Sequence, residues 1–570
     1  MVMSRRLFAA GSGDVPVTEP VCRKVPFWRS TRKGLTFLGL ALLLMPVILA
    51  LAGLAVFAPP GVRDFMETLR DAYVWHVVGF TFLQALLSTL LSLMGGLLLA
   101  RSLFRRGAFA GRVWLERLML LPMVLPQIVV VLGFLAVWGR QGWIRHLIYL
   151  AGVDTDVSIY GLTGILMAHA FYNVPLAARL LLARLEGVPG EYWRLAAQLG
   201  MPPLRVFTLV EWPAMRTVLP GVGVLIFMLC ATSFTVVLIL GGGPAATTLE
   251  VAIYQALRFD FMPERAMVLS LLQLMLMAAV HIILRYFGAP EQGEAGSFRR
   301  DVRHPFAYRA GARVWDVAVI TMAALYLILP LAAVIIDGVA AFSTTVLLRE
   351  EVMDAVLTSL SVSVAAAHFA LFVVFLMLAY LHHPRGILPD DGWTRFSDAI
   401  ASLVLVVPVV TLAAGWFLLL LVFDAVELMA PVVVIVLNAI MVLPFVWRVL
   451  NPAARMVQDR NGRLTVQLAM GWRARVRLVD WPLLKKAVGL AIALAMAMSV
   501  GDLGSIALFG SESFHTLPWL IYRALGSYRS DEAASLSLLL LIMVGGFLSV
   551  AGLFETSAEG RKGTVPAVKR

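Results

Sequence analysis

Charge is what this sequence lacks most. Of its 570 residues only 14% are Asp, Glu, Lys or Arg, against 60% hydrophobic residues and a mean hydropathy of +0.86. Soluble domains carry about 25% charged residues, so there is too little charge here to coat a water-facing surface. The same shortage of polar residues excludes a disordered chain, and the composition reads as a polytopic membrane protein. Cysteine is almost absent: Cys22 lies in a polar stretch and Cys230 in an apolar one, which excludes a disulfide framework or a cysteine-rich metal site. Signatures of enzyme chemistry are missing too. There is no Gly-x4-Gly-Lys-Ser/Thr phosphate loop, since Gly241-Gly242-Gly243-Pro244 has no lysine, and neither a His-Glu-x2-His zinc motif nor a Gly-x-Ser-x-Gly elbow occurs. The pair His382-His383 has no nearby cysteine or acidic partner and is read as interfacial rather than metal-binding. Neither a bound cofactor nor a metal is expected in the chain.

What is present is a succession of apolar runs. A bilayer core needs roughly 20 mostly apolar residues per helix, and about twelve stretches qualify, near 35–58, 74–100, 118–138, 161–183, 218–240, 265–284, 314–336, 355–380, 399–423, 430–447, 487–506 and 533–554. The basic segment 1–34 has no short apolar core ending in a small-residue cleavage site, so the first run is expected to remain as an anchor. Net charge is +12, and its distribution explains it. About 37 of the 47 Lys and Arg residues fall in the two termini and alternate loops, the side that the positive-inside rule assigns to the cytoplasm. Both termini are therefore expected to be cytoplasmic. Basic residues dispersed between apolar runs do not form the single basic surface that a nucleic acid needs.

The chain repeats itself. An offset of 269 residues takes Pro175 and Arg179 to Pro444 and Arg448, Gln198-Leu199 to Gln467-Leu468, and Leu209-Val210-Glu211-Trp212-Pro213 to Leu478-Val479-Asp480-Trp481-Pro482. After one deletion, Tyr254 matches Tyr522. This predicts a basic N-terminal tail at 1–34, a first six-span half at 35–287, a linker at 288–313, a second half at 314–554 and a tail at 555–570. An even number of spans per half gives both halves one orientation, related by an axis along the membrane normal.

Two cytoplasmic loops, 184–217 and 448–486, are too polar to span and too patterned to be linkers. In the first, Leu195, Leu199, Val206 and Val210 fall on helical spacings either side of Pro202-Pro203, predicting two short amphipathic helices with a turn between them. Such helices dock in a partner's groove, or lie under their own spans or in the headgroups.

Gly200, Phe207, Val210 and Pro213 resemble the loop motif of permease subunits of ATP-binding-cassette importers, where a Glu-Ala-Ala-x3-Gly segment carries the coupling helix. Ala196 fits that pattern; Arg194 stands where the family has Glu, and Glu191 lies one turn earlier. In the second copy Ala469 replaces the glycine and Gly471 follows two residues later, beside Met470, with Val479 and Pro482 matching Val210 and Pro213. A closer resemblance, from about residue 70 onward, is to the fused permeases of bacterial importers for thiamine and thiamine pyrophosphate; Gly139-Arg140-Gln141-Gly142-Trp143, Gly501-Asp502-Leu503-Gly504 and Gly526-Ser527-Tyr528-Arg529-Ser530 carry it. The resemblance implies an all-α integral membrane protein of about 12 transmembrane helices in two tandem type I importer halves, placed in the bacterial inner membrane. It also implies two copies of a separate ATPase that hold ATP and magnesium, a periplasmic thiamine-binding protein, and a permease that is not itself an enzyme. A permease of the same architecture for ferric iron or a phosphonate is the alternative, with an ion-coupled secondary transporter behind it.

Within the spans, Asp502 is the clearest ionisable group, and its repeat partner is Ser233. Intramembrane charges are costly and mark functional sites. Asp502 either offsets the cationic thiazolium on a pathway or caps a helix broken at Gly501 and Gly504. Tyr254 and Tyr522 are candidates for an outer gate, a contact with the binding protein, or interface anchors. His169, Asn173 and Asn438 are expected to hydrogen-bond between helices, and Pro122, Pro126 and Pro408 to kink spans three and nine.

Overall fold

In the computed structural model, residues 26–56, 62–287, 310–381 and 397–556 are described, apart from 108, 141, 151–157, 343–345, 347, 399 and 402–406. Cys22, His382-His383, Gln141, the linker over 288–309 and most of both tails lie outside the described residues. Every described element is a helix. We label the main ones α1 (Pro26–Val56), α2 (Ala72–Arg106), α3 (Gln127–Trp138), α4 (Leu162–Glu186), α5 (Leu219–Ala231), α6 (Leu249–Arg258), α7 (Pro263–Phe287), α8 (Ala310–Ala340), α9 (Glu350–Met377), α10 (Val409–Val422), α11 (Val426–Gln467), α12 (Trp481–Val500), α13 (Leu517–Gly526) and α14 (Ser530–Thr556). Ten helices among the described residues are long and apolar enough to cross a membrane. An eleventh crossing results if the bent pair Pro203–Arg216 and Leu219–Ala231 counts as one, and α10 is a shorter apolar helix.

The order of elements repeats, with α1 to α7 answered by α8 to α14. Within each set α2 packs on α4 and α5, and α9 on α11 and α12. Between sets the packing is reciprocal: α1 lies against α9 and α10, while α8 lies against α2 and α3. Small residues permit this, because lipid supplies no hydrophobic drive between helices and association depends on close packing. A Cβ on Gly53 would overlap the carbonyl of Gly415, one on Gly415 would overlap that of Ala50, and one on Gly133 would overlap that of Pro330. Trp416 Nε1 donates to the Pro46 carbonyl at 3.0 Å and ties the α1–α10 crossing further.

Two expectations are corrected. Pro126 and Pro408 do not kink their spans; they are the residues at which α3 and α10 begin, as the missing proline N–H allows at a helix start. The second loop does not begin at residue 448 as a separate element. The helix α11 runs 42 residues from the span to Gln467, whereas α4 stops at Glu186 before Gly187-Val188-Pro189 and a new helix starts at Gly190. The matching positions in the second half are Met456, Val457 and Gln458, which contain neither the flexible glycine nor the helix-breaking proline. Prolines inside α11 at 431, 444 and 452 are tolerated within the packed span.

Gly415→Leu should force α1 from α10 at a cost of about 1–3 kcal/mol or more, as overpacking does. The expected outcome is loss of monodisperse, detergent-solubilised protein, whereas Gly79→Leu, at a glycine with open space around it, should elute like the wild type.

Candidate functional site

The two loops fold alike. Gly200 adopts φ +56° and Ala469 φ +46°, so the left-handed turn of the second loop falls on Ala469 rather than on Gly471. Each turn closes with the same backbone bonds: Gly200 N to Ala197 O and Met201 N to Ala196 O in the first, Ala469 N to Val466 O and Met470 N to Thr465 O in the second, at 3.0–3.1 Å. A π-turn follows in both, at Phe207–Glu211 and Val476–Asp480; such bulges sit frequently at functional positions.

Most residues of the loop motif are structural. Ala196 and Val210 are buried with Trp193 and Val206 in a small core of the loop's own, against Phe104, Val188 and Met201. The Phe104 and Trp193 rings lie 4.8 Å apart and seat the loop on the end of α2. Phe207 covers the Arg101 guanidinium at 4.4 Å, Pro213 lies in the first turn of the helix from Trp212, and Glu191 pairs with Arg194 on the surface. The outward face is built from residues the motif does not name. Leu195, Leu199, Leu209 and Trp212 are exposed, and so are their repeat counterparts Leu464, Leu468, Leu478 and Trp481. Exposed apolar clusters of this kind mark interaction surfaces. Their signal in the sequence was the repeat itself, which preserved apolar residues at positions that face outward.

Away from the loops, α5 and α12 both break before the far side. Past the first break lie buried Ser233, a turn and α6; past the second lie Asp502 and α13. Asp502 accepts from the Gly504 and Ser505 backbone N–H groups at 3.2 and 2.9 Å and from the Ser505 hydroxyl at 2.5 Å. Asn438 on α11 donates to Ser505 Oγ at 3.0 Å. The carboxylate thus caps the broken helix and is tied to the neighbouring span. On the other side Ser88 meets His169 Nδ1 at 2.9 Å and Asn173 donates to Cys230 at 3.3 Å, so His169, Asn173 and Asn438 all bond between helices.

The segments beyond the two breaks meet across the seam between halves. A Cβ on Gly501 would lie 2.6 Å from Pro126, where α3 begins. Glu250 on α6 accepts from Gln273 Nε2 at 3.3 Å and faces the backbone of Val410 in the first turn of α10. Arg258 donates to the Gly510 carbonyl at 3.1 Å. The Tyr254 and Tyr522 hydroxyls lie within electrostatic reach of each other, so the matched tyrosines meet where the halves join on the face opposite the loops. Glu250 is fully buried and was not singled out from the sequence, because α6 lies outside every long apolar run. Among the described residues no group of three His, Cys, Asp or Glu side chains could hold a metal.

No family model matches the chain. Individual relatives do. It is 42% identical to the thiamine transport system permease protein ThiP of Brucella suis over 526 residues, covering 92% of this chain and 95% of that protein. It is 40% identical to the protein of the same name from Escherichia coli (84% and 89% covered) and 36% identical to that from Haemophilus influenzae (86% and 90%). The chain belongs to the family of thiamine transport system permease proteins. As a member of that family with ten long apolar helices among the described residues, it is a multi-pass membrane permease. The all-α fold and the loop motif both fit that class, and in this family member the turn residue of the second loop is alanine.

A left-handed conformation costs a non-glycine residue about 1–2 kcal/mol, offset by about 0.4–1 kcal/mol from glycine's freer unfolded state. Ala469→Gly should therefore raise the thermal unfolding midpoint of purified protein, and Gly200→Ala should lower it, each by the equivalent of about 0.5–1 kcal/mol.

Proposed function

We propose that the chain is the permease of an ATP-binding-cassette importer that moves thiamine and its phosphate esters across the bacterial inner membrane. The observation that carries this reading is the duplicated loop face, where the same exposed leucines and tryptophan recur in repeat register on two loops of one fold. Two equal faces call for two copies of one partner, and the partner that a permease without a phosphate loop requires is an ATPase. Gly200 and Phe207 in one loop, and Met470, Gly471, Val479 and Pro482 in the other, hold these faces in shape, and ATP and magnesium belong to the partner. No cofactor is assigned to this chain.

Both termini and both loops are assigned to the cytoplasm, in keeping with the distribution of basic residues. The seam between residues 35–287 and 314–554 is then the pathway. Tyr254 and Tyr522 close its outer end, where a periplasmic thiamine-binding protein delivers substrate. Asp502, with Ser233 at the matching position, supplies an acidic side chain there, held by N–H and O–H donors, and serves both as helix cap and as partner to the cationic thiazolium.

Reconstitution in proteoliposomes with the ATPase and the binding protein tests the reading. Thiamine should stimulate ATP hydrolysis and drive uptake; stimulation by another solute alone would remove the substrate assignment and leave the architecture. Asp502→Asn keeps size and one acceptor while deleting the charge. It should reduce thiamine uptake about tenfold, the factor that corresponds to about 1.4 kcal/mol, with little change in yield. Unchanged uptake would leave Asp502 as a cap alone.

A further inference from the structure

The first loop is connected by charge to the opposite half. Glu211 of the first π-turn is buried, with 2% of its side chain exposed, and pairs with Arg101 Nε at 2.5 Å. One turn further along α2, Arg105 pairs with Asp316 Oδ1 at 2.6 Å, and Arg106 Nε pairs with Asp316 Oδ2 at 2.8 Å. Asp316 is on α8, the first helix of the second half, and its side chain is fully buried. Arg105 lies within electrostatic reach of Asp316, Arg101 and Glu211 together. A continuous line of charges thus runs from the loop, along one face of α2, to α8.

The second loop is built differently. Asp480, which matches Glu211, pairs with Arg475 of its own loop at 3.4 Å. Thr81 and Ser359 cap α6 and α13 through the same bond to Leu249 N and Leu517 N, and the register they set places Ala379 where α2 has Arg101. Buried ion pairs contribute little net stability, because desolvation cancels most of the attraction. They do fix geometry, because each charge is costly to leave alone.

We propose that Arg101, Arg105, Arg106 and Asp316 form an electrostatic relay by which movement of the first loop is transmitted to the second half, with Asp316 as the positioning residue at its far end. Any displacement of Glu211 moves Arg101 and the turn of α2 that carries Arg105, and Asp316 must follow or lose its partners. This rests on the reading of the loops as the faces driven by an ATPase.

The test uses the full complex of permease, ATPase and binding protein in proteoliposomes, with thiamine as the probe. Asp316→Asn should assemble, retain the hydrolysis seen without binding protein, and lose about tenfold in thiamine-stimulated hydrolysis and in uptake, within the range of networked coupling. Asp316→Glu, which restores the charge at the cost of a poorer fit, should recover at least half of the stimulation, which a merely packed residue would not do. Stimulation within about twofold of wild type in Asp316→Asn, or no recovery in Asp316→Glu, overturns the relay. Should Asp316→Asn fail to assemble, Arg101→Gln, at a side chain 21% exposed, gives the same readout: retained stimulation overturns the relay and loss supports it. A wild-type complex whose hydrolysis ignores thiamine overturns the ATPase-driven reading, a result distinct from any of these.

Discussion

The rest of the architecture depends on one constraint: inside a bilayer no backbone polar group can be left for water to satisfy. Broken helices are admissible only where protein covers the break, and here each half covers the breaks of the other. The backbone beyond α5 reaches α10 through Glu250 and Val410, and the backbone beyond α12 rests on Pro126 at the start of α3. Neither half could present its seam to lipid. The two therefore form one unit, and the reciprocal placement of α1 and α8 on the opposite halves follows the same logic.

That arrangement separates two kinds of surface. On the loop side, apolar side chains remain exposed on rigid, self-packed turns, a condition that suits a water-soluble partner. On the far side, polar groups are buried and mutually bonded, with the tyrosine pair across the axis. A span such as α5 or α12 connects the two directly, since each begins just after a loop and ends at a break. Movement of a loop would reach the seam through the length of a single helix, and in the first half, by the proposed relay, also sideways through the arginines of α2.

The two halves depart from symmetry at particular positions. Asp502 stands opposite Ser233, Glu250 opposite Pro518, and Arg101 opposite Ala379, each pair placing charge in one half. A buried charge at both members of a pair would double the desolvation cost. The loops differ as well: Gly187 and Pro189 free the first from its span, while the long α11 makes the second a rigid extension of its own.

Much of this was legible in the sequence. Hydropathy located the spans because twenty apolar residues have no other stable solution in water. The repeat aligned the loops because both copies must form the same turn. In both cases the information is local or nearly so. The sequence could not show that Ala469 takes the glycine conformation, that Ala196 and Val210 face inward while Leu195 and Leu209 face out, or that Tyr254 meets Tyr522. Nor could it show that Glu250 is buried, since a short amphipathic helix reads as an outer loop until the partner half is placed over it. Those outcomes were decided by tertiary structure, because which face of a short helix is buried, and which charges meet, depends on how two distant segments cross and not on the spacing within either.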